Sequence, residues 1–142
     1  MCPDMTKAEL REFMNAPDLG VLGTISPEGA PQSALVGIAV TEELEIIFDT
    51  VNSSRKYRNL MVNPAASFVV GWVGEITAQY EGLASEPARA ELARYKEIYF
   101  AKWPDGPARQ QWPGIAYFVV RPKWARYSDF NQTPAFIEEF TF

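Results

Sequence analysis

The chain has 142 residues, the length of one domain with one sizeable core, so we expect a single domain over residues 1–142. A net charge of −5 and a pI near 4.8 argue against nucleic-acid or anionic-membrane partners, because both need a broad basic surface. The sequence has no histidine, which excludes Ser-His-Asp and Cys-His catalysis and removes the commonest zinc ligands, so no metal site is expected.

Nothing in the sequence predicts secretion or membrane insertion. No apolar run approaches the ~20 residues of a membrane span, and the first residues do not resemble a signal peptide. The one cysteine, Cys2, cannot form an internal disulfide and lies in a terminus that we expect to be mobile. We therefore expect a cytoplasmic protein. Because no phosphate-binding glycine loop follows a strand, its chemistry should come from a bound organic cofactor.

The first predicted elements are a helix and a β-hairpin. Thr6 and Glu9 have the spacing of a capping box and predict a helix over residues 6–15. Residues 19–26 and 32–40 are each typical of a strand, and the Pro-Glu-Gly sequence between them is typical of a turn. These two strands should form a hairpin.

Within the second strand, small residues allow another group to approach closely. Gly37 has room for a flat ring or a partner backbone, although a bulge is the commoner reason for a strand glycine.

A third strand, residues 44–48, ends in Asp49 and Thr50 and leads to a short helix. Ser53 or Ser54 is a suitable cap for this helix, and Asn63-Pro64 is a stop signal.

The first turn of this helix carries Arg55 and Lys56, although a helix N-terminus favours acidic residues. With Ser53 as the cap, Lys56 takes the position where a capping box has Glu or Gln. A phosphate would satisfy the orphan N–H groups, the hydroxyls and both cations together. A solvated basic helix start is an equally good interpretation of the charge pattern.

Two further strands are predicted after the helix. Residues 65–72 are apolar on both faces, as in a strand buried inside a barrel, and Trp72 is expected in the core. Residues 76–83 alternate in part. Gln79 on that strand has an amide suited to a ligand edge, although a solvated strand face is the commoner explanation.

A long connection follows, with a helix from Pro87 to about Ala101 and a short helical turn over residues 108–111. The aromatic residues of this connection suit a lid, a subunit contact or simple surface packing, and sequence does not choose among them.

The last predicted strands cover residues 115–121 and 124–130 and are separated by a break at Pro122. Trp124 and Arg126 share a face at two-residue spacing and could converge on one ligand. The alternative is a core tryptophan beside an arginine paired with Asp129 or a glutamate. The aromatic tail, residues 136–142, should dock on the barrel or on a partner subunit.

The order Phe48-Asp49-Thr50, Ser54-Arg55-Lys56, Asn59-Leu60 and Asn63-Pro64 resembles the FMN-binding split-barrel family related to pyridoxamine 5'-phosphate oxidase, including its general-stress-protein-like members. The resemblance implies that Thr50, Ser54, Arg55 and Lys56 surround the FMN phosphate. It also implies that the second strand of the hairpin runs beside the flavin and that the C-terminal strand reaches the site, often from a second subunit. The candidate cofactor-binding residues are Ser33, Ala34, Leu35, Val36, Asp49, Thr50, Ser54, Arg55, Lys56, Gln79, Trp124 and Arg126.

The predicted fold is a mostly β split barrel of about six antiparallel strands with peripheral helices. A barrel this small is filled by its own side chains, so a flavin must lie outside it, where a second subunit can bury it. This implies a homodimer.

The leading functional interpretation is an FMN-dependent oxidoreductase that acts on a small-molecule redox substrate, with NAD(P)H as a candidate. The alternatives are a flavin-binding protein without turnover, a deazaflavin-binding protein, or a dimeric anion-binding interaction module. Pyridoxamine 5'-phosphate oxidase activity itself is not expected, because that enzyme uses an arginine- and histidine-containing C-terminal site, whereas this chain has no histidine and ends in Phe-Thr-Phe. Haem is disfavoured by the same absence of a histidine ligand.

Overall fold

Eight antiparallel strands curl into an open barrel, and four helices lie around it, in a computed structural model that describes residues 4–142. Cys2 lies outside the described residues. The mostly β split-barrel prediction is confirmed, with eight strands in place of about six. The elements are α1 (Lys7–Asn15), β1 (Leu19–Ile25), β2 (Pro31–Gly37), β3 (Ala39–Val40), β4 (Ile46–Val51), α2 (Arg55–Val62), β5 (Ala65–Val70), β6 (Ile76–Ser85), α3 (Arg89–Lys102), α4 (Gly106–Arg109), β7 (Ile115–Asp129) and β8 (Phe136–Thr141).

The sheet order is β2-β1-β5-β6-β7-β4-β3, with β8 paired to β7. Within the described chain, β2 pairs only with β1, and β3 covers only Ile46 and Ile47 of β4. The edge of β2 away from β1 and the edge of residues 48–51 away from β7 therefore have no ladder partner in the described chain, although β2 and β4 are neighbours. We call the gap between these two edges the split.

The break predicted at Pro122 is wrong, because β7 runs through it as one strand of 15 residues. Gly82 pairs with Pro122 and Glu81 with Trp124, so Lys123 is an extra residue in a β-bulge. A bulge interrupts the ladder locally and tolerates a proline that cannot donate a hydrogen bond. The last strand is consequently β8, which docks the aromatic tail on the barrel.

The single strand predicted over residues 32–40 is divided into β2 and β3 at Ile38, whose amide donates to the Asp18 carbonyl at 3.0 Å. Gly37 lies under the indole of Trp103, where a Cβ atom would approach a ring carbon to 2.7 Å. The flat ring that approaches this glycine is therefore the indole of Trp103, a side chain of the same chain.

Two apolar clusters hold the elements together. Phe48, Phe68, Tyr80 and Phe118 fill the barrel interior, so no space remains there for a large ligand. The second cluster lies between α3 and the outer side of β4 and β7, and it comprises Ala39, Ile47, Tyr95, Tyr99, Tyr117 and Val119. Burial of each such side chain stabilises the fold by roughly 1.5–3 kcal/mol.

Strand β5 departs from its prediction. Its side chains alternate between buried and exposed, with Phe68 inside and Ser67 and Val69 outside, because no element of the described chain covers its outer face. Trp72 lies beyond the strand and is 47% exposed, so its predicted place in the core is wrong. None of the helices in the described part of the chain is long and apolar enough to cross a membrane.

Candidate functional site

The N-terminus of α2 is built from the end of β4. Ser54 is the N-cap, and its Oγ atom accepts a hydrogen bond from the Tyr57 amide at 3.2 Å. The hydroxyl of Thr50, on β4, lies 2.9 Å from the same Oγ atom. Since Ser54 and not Ser53 is the cap, Lys56 lies at the second helical position and Tyr57 takes the capping-box position that the sequence suggested for Lys56.

The unusual charge of this helix start is present in the structure. The first turn of α2 contains Arg55 and Lys56 and no acidic residue. Neither cation forms an ion pair with any residue in the range 4–142. Two cations therefore add to the partial positive charge of the helix end, and in the described chain neither is paired with a carboxylate.

A cavity of about 140 Å³ lies between α2 and the hairpin, and we call it the anion cavity. It brings Arg55 and Lys56 together with Ser33 and Ala34 of β2, although the two pairs are far apart in sequence. Its lining residues are Thr24, Gln32, Ser33, Ala34, Arg55 and Lys56. This set offers two cations, two hydroxyls and an amide, which is the donor chemistry that a phosphate group requires.

Asn59 fixes the position of α2 against the hairpin. The residue is 2% exposed, and its side-chain amide donates to Thr24 Oγ1 and to Gln32 Oε1, both at 2.9 Å. Both amide hydrogens are thereby used. Sequence reasoning missed Thr24, Gln32 and Asn59 as parts of the site. The available signal was the polar Asn59 beside Leu60 in the apolar stripe of the helix.

Asp49 is not brought to the anion cavity. Successive strand residues point to opposite faces, so Asp49 faces α3 and α4 while Thr50 faces α2. Its carboxylate accepts a hydrogen bond from Arg109 Nε at 2.9 Å. Burial acts to lower the pKa of Arg109, but the hydrogen bond to Asp49 and the charges of Asp49 and Asp105 together raise that pKa.

Leu35 and Val36 occupy opposite sides of β2. Leu35 is 59% exposed on the outer face of the sheet, whereas Val36 is buried in the barrel core. Only the backbone of Val36 can therefore border the split.

Gln79, Trp124 and Arg126 lie on the outer face of the sheet, at a distance from the anion cavity. The register joins Leu35 to Val21, Val69, Gln79, Arg126 and Glu139 in one row across the sheet. Trp124 and Arg126 share a face as predicted, with the guanidinium carbon 5.5 Å from the ring centroid. Arg126 Nε donates to Glu139 at 3.0 Å, so the predicted alternative of pairing with a glutamate is observed.

A second cavity, of about 470 Å³, adjoins the anion cavity and extends over the outer face of β1, β5 and β6. The two cavities share Thr24, Gln32 and Ser33 in their linings. The bulge residue Lys123 lines the larger cavity, as do Glu81 and Leu83. The exposed sheet face is thus continuous with the anion cavity.

Most of the chain matches a known family in sequence. A family model described as "Pyridoxamine 5'-phosphate oxidase" matches residues 6–129. The chain belongs to this family. A pyridoxine/pyridoxamine 5'-phosphate oxidase from Paraburkholderia xenovorans (strain LB400) is 32% identical over 108 residues, which cover 75% of this chain and 49% of the relative. The chain spans about half the length of the curated relatives it matches.

Solved structures of low sequence identity share the fold. The structure of a heme binding protein from Mycobacterium smegmatis superposes with a TM-score of 0.82 at 17% identity, covering 99% of this chain and 60% of that one. General Stress Protein 26 from Bacillus anthracis gives 0.71 at 19% identity, covering 94% and 98%. An F420 reductase gives 0.64 at 22% identity, covering 81% and 94%. At these identities the likeness concerns the fold alone.

Proposed function

We propose that this protein is an FMN-binding oxidoreductase that holds the FMN phosphate in the anion cavity. The observation that carries the proposal is the pair Arg55 and Lys56, which lie without ion-pair partners in the described chain at a helix start that is already electropositive. A phosphate placed there would accept hydrogen bonds from both cations and from the Thr24 and Ser33 hydroxyls. FMN has such a phosphate. The chain belongs to the pyridoxamine 5'-phosphate oxidase family, which makes FMN the first candidate cofactor.

The split offers a place for the flavin ring. The barrel interior is filled by side chains, so a ring of this size must bind outside it. The edges of β2 and of residues 48–51 that have no ladder partner in the described chain present backbone donors and acceptors, and residues 32–34 of β2 also line the anion cavity. Bound FMN would supply the electron-transfer chemistry, and the protein would bind it, orient it and limit its access to water.

We infer that a second copy of the chain covers the outer face of the sheet. Leu35 and Val69 are 59% and 39% exposed in one row across the sheet with Val21, and Leu83 is 45% exposed on the same face further along β6. Exposed apolar side chains on one face favour its burial. Gln79, Trp124 and Arg126 lie on the same face of the sheet. In a homodimer these three residues would contribute to the flavin site of the opposite subunit.

A deazaflavin coenzyme is the second candidate cofactor, because the fold is shared with an F420 reductase and an anion cavity would serve a phosphorylated deazaflavin equally. Haem is a weaker candidate despite the shared fold with a heme binding protein, since this chain has no histidine to ligate the iron.

The absorption spectrum of the purified protein, with mass spectrometry of the released cofactor, distinguishes FMN, a deazaflavin and haem. Reduction of bound FMN by NADH or NADPH would support an oxidoreductase over a carrier, and a colourless protein that binds no added FMN would contradict the proposal.

Lys56→Ala should weaken FMN binding more than riboflavin binding, because only FMN carries the phosphate. The loss of one charge-assisted hydrogen bond of ~1.5–3 kcal/mol should raise the Kd for FMN roughly 10- to 100-fold. Riboflavin affinity should change less than about twofold. Fluorescence titration of both ligands measures this, with Arg58→Ala as a control on the same helix outside the cavity lining. Equal losses for both ligands would place Lys56 away from the phosphate.

Leu35→Arg should convert the proposed dimer to monomers. The side chain is 59% exposed in the single chain, so the substitution should leave the monomer folded while placing a charge in the interface. Light scattering at micromolar concentration measures the mass, and Val62→Arg, on an exposed position of α2, serves as the control. A wild-type monomer that retains one FMN per chain would contradict the shared-site arrangement.

A further inference from the structure

The C-terminal end of α3 crosses the split and contacts both of its sides. The Tyr99 hydroxyl donates to the Gly37 carbonyl of β2 at 3.0 Å and lies 3.4 Å from Asp49 Oδ1 of β4. The indole N–H of Trp103 donates to the Ile38 carbonyl at 3.0 Å. One helix end is thus attached to the end of β2 and to the unpaired part of β4.

These contacts have a mechanical consequence, because no hydrogen-bond ladder joins β2 to β4 in the described chain. Elsewhere in the sheet the strand spacing is fixed by ladders at about 4.7–4.9 Å. At the Gly37 end the short β3–β4 ladder, at Ala39 and Ile47, limits the spacing across the split. Beyond that ladder the spacing depends on the side chains of α3 and α4 that are bonded to one strand or the other. Tyr99 is 1% exposed and packs against Tyr117 and Trp103, which holds its hydroxyl in place.

We propose that Tyr99, Trp103 and Arg109 form a bridge that sets the width of the split and positions its two edges for the flavin ring. The inference deepens the proposed function and rests on it. None of the three side chains lines the anion cavity, so they are positioning residues that act through the strands.

The hydrogen bonds divide between the two sides. Tyr99 has one hydroxyl hydrogen, which the shorter distance assigns to Gly37, while Asp49 accepts the Nε hydrogen of Arg109. Burial, followed by the nearby Asp49 charge, raises the pKa of the Tyr99 hydroxyl, so it remains a donor at neutral pH. Tyr99→Phe should therefore release β2 and leave the Asp49–Arg109 pair intact.

Tyr95 provides a matched control on the same helix. It is as deeply buried as Tyr99, and its hydroxyl also donates one hydrogen bond, to Glu45 Oε2 at 2.7 Å. Glu45 precedes the start of β4 and is not part of the split. Because a hydrogen bond to a carboxylate is stronger than one to a carbonyl, Tyr95→Phe should lower the melting temperature at least as much as Tyr99→Phe, while leaving the split unchanged.

The experiment compares full-length wild type, Tyr99→Phe, Tyr95→Phe and Trp103→Phe. In the absence of FMN, amide hydrogen exchange of residues 33–38 should accelerate in Tyr99→Phe and Trp103→Phe but not in Tyr95→Phe. With FMN, the first two variants should bind roughly tenfold more weakly, the cost of one hydrogen bond, and should alter the induced circular dichroism of the bound flavin.

Unchanged exchange in Tyr99→Phe and Trp103→Phe would overturn the bridge whether or not FMN binds. Faster exchange with unchanged FMN affinity and circular dichroism would overturn the positioning role, while the proposed function would stand. A wild type that binds no FMN would overturn the proposed function and the positioning role with it.

Discussion

Replacing Arg55 and Lys56 together with glutamate should abolish FMN binding while leaving the ligand-free protein as stable as before, or more stable. Both cations lie in the first turn of α2, where the helix macrodipole disfavours them by a few tenths to ~1 kcal/mol each. Glutamate at the same positions is favourable. The two lost charge-assisted hydrogen bonds to the phosphate are worth ~1.5–3 kcal/mol each, so the Kd should rise at least a hundredfold or so.

Thermal melts with and without FMN measure both effects in one experiment, because the stabilisation by a bound ligand grows with the logarithm of the ratio of ligand concentration to Kd. Arg58→Glu is the control, since it adds an acidic residue to the same helix outside the cavity lining. FMN should protect the control as it protects the wild type. A double variant that loses stability and is still protected normally by FMN would show that the two cations are structural, and the anion-site hypothesis would be wrong.

The charge pattern of α2 was predictable because it is local. Arg55 and Lys56 follow a serine cap within two residues, so their place in the first turn depends on helix geometry alone. The choice between Ser53 and Ser54 was not predictable, because it depends on the Thr50 hydroxyl, which fixes Ser54 from the neighbouring strand.

The partners of Asp49 could not be predicted from local sequence. Asp49 precedes Thr50 and was expected beside it, but its partner Arg109 is 60 residues further along the chain. The sequence leaves three roles open for the connection that contains Arg109: a lid, a subunit contact or surface packing. The contact of Arg109 with β4 arises from the way α3 packs on the outer side of the barrel. The same applies to Trp103, whose contact with Gly37 depends on that packing.

The sequence predicts a break at Pro122 because a proline normally ends pairing in a central strand, whereas β7 continues through it. The pairing partner decides the outcome here. Gly82 lacks a side chain, and a Cβ atom at that position would lie 2.2 Å from the Arg121 carbonyl oxygen, so only a glycine permits this close approach. The β-bulge at Lys123 thus requires features of two strands, β6 and β7, that sequence reasoning treated separately.

Asn59→Leu should produce the largest loss of stability at the site, roughly 2–4 kcal/mol in the free energy of unfolding. Leucine has the same branching at Cγ but no donor, so Thr24 Oγ1 and Gln32 Oε1 would each lose a hydrogen bond in a buried or half-buried setting. Asn63→Ala, at the C-cap of the same helix, is the control. In the described chain the Asn63 side chain accepts one local hydrogen bond, from the Ala65 amide, so its loss should cost less than about 1 kcal/mol. Chemical denaturation measures the free energy of unfolding of both variants.

Because Asn59 holds the hairpin wall of the anion cavity against α2, FMN affinity should also fall in Asn59→Leu and remain unchanged in Asn63→Ala. Equal losses of stability in the two variants would show that the Asn59 hydrogen bonds do not hold α2 against the hairpin.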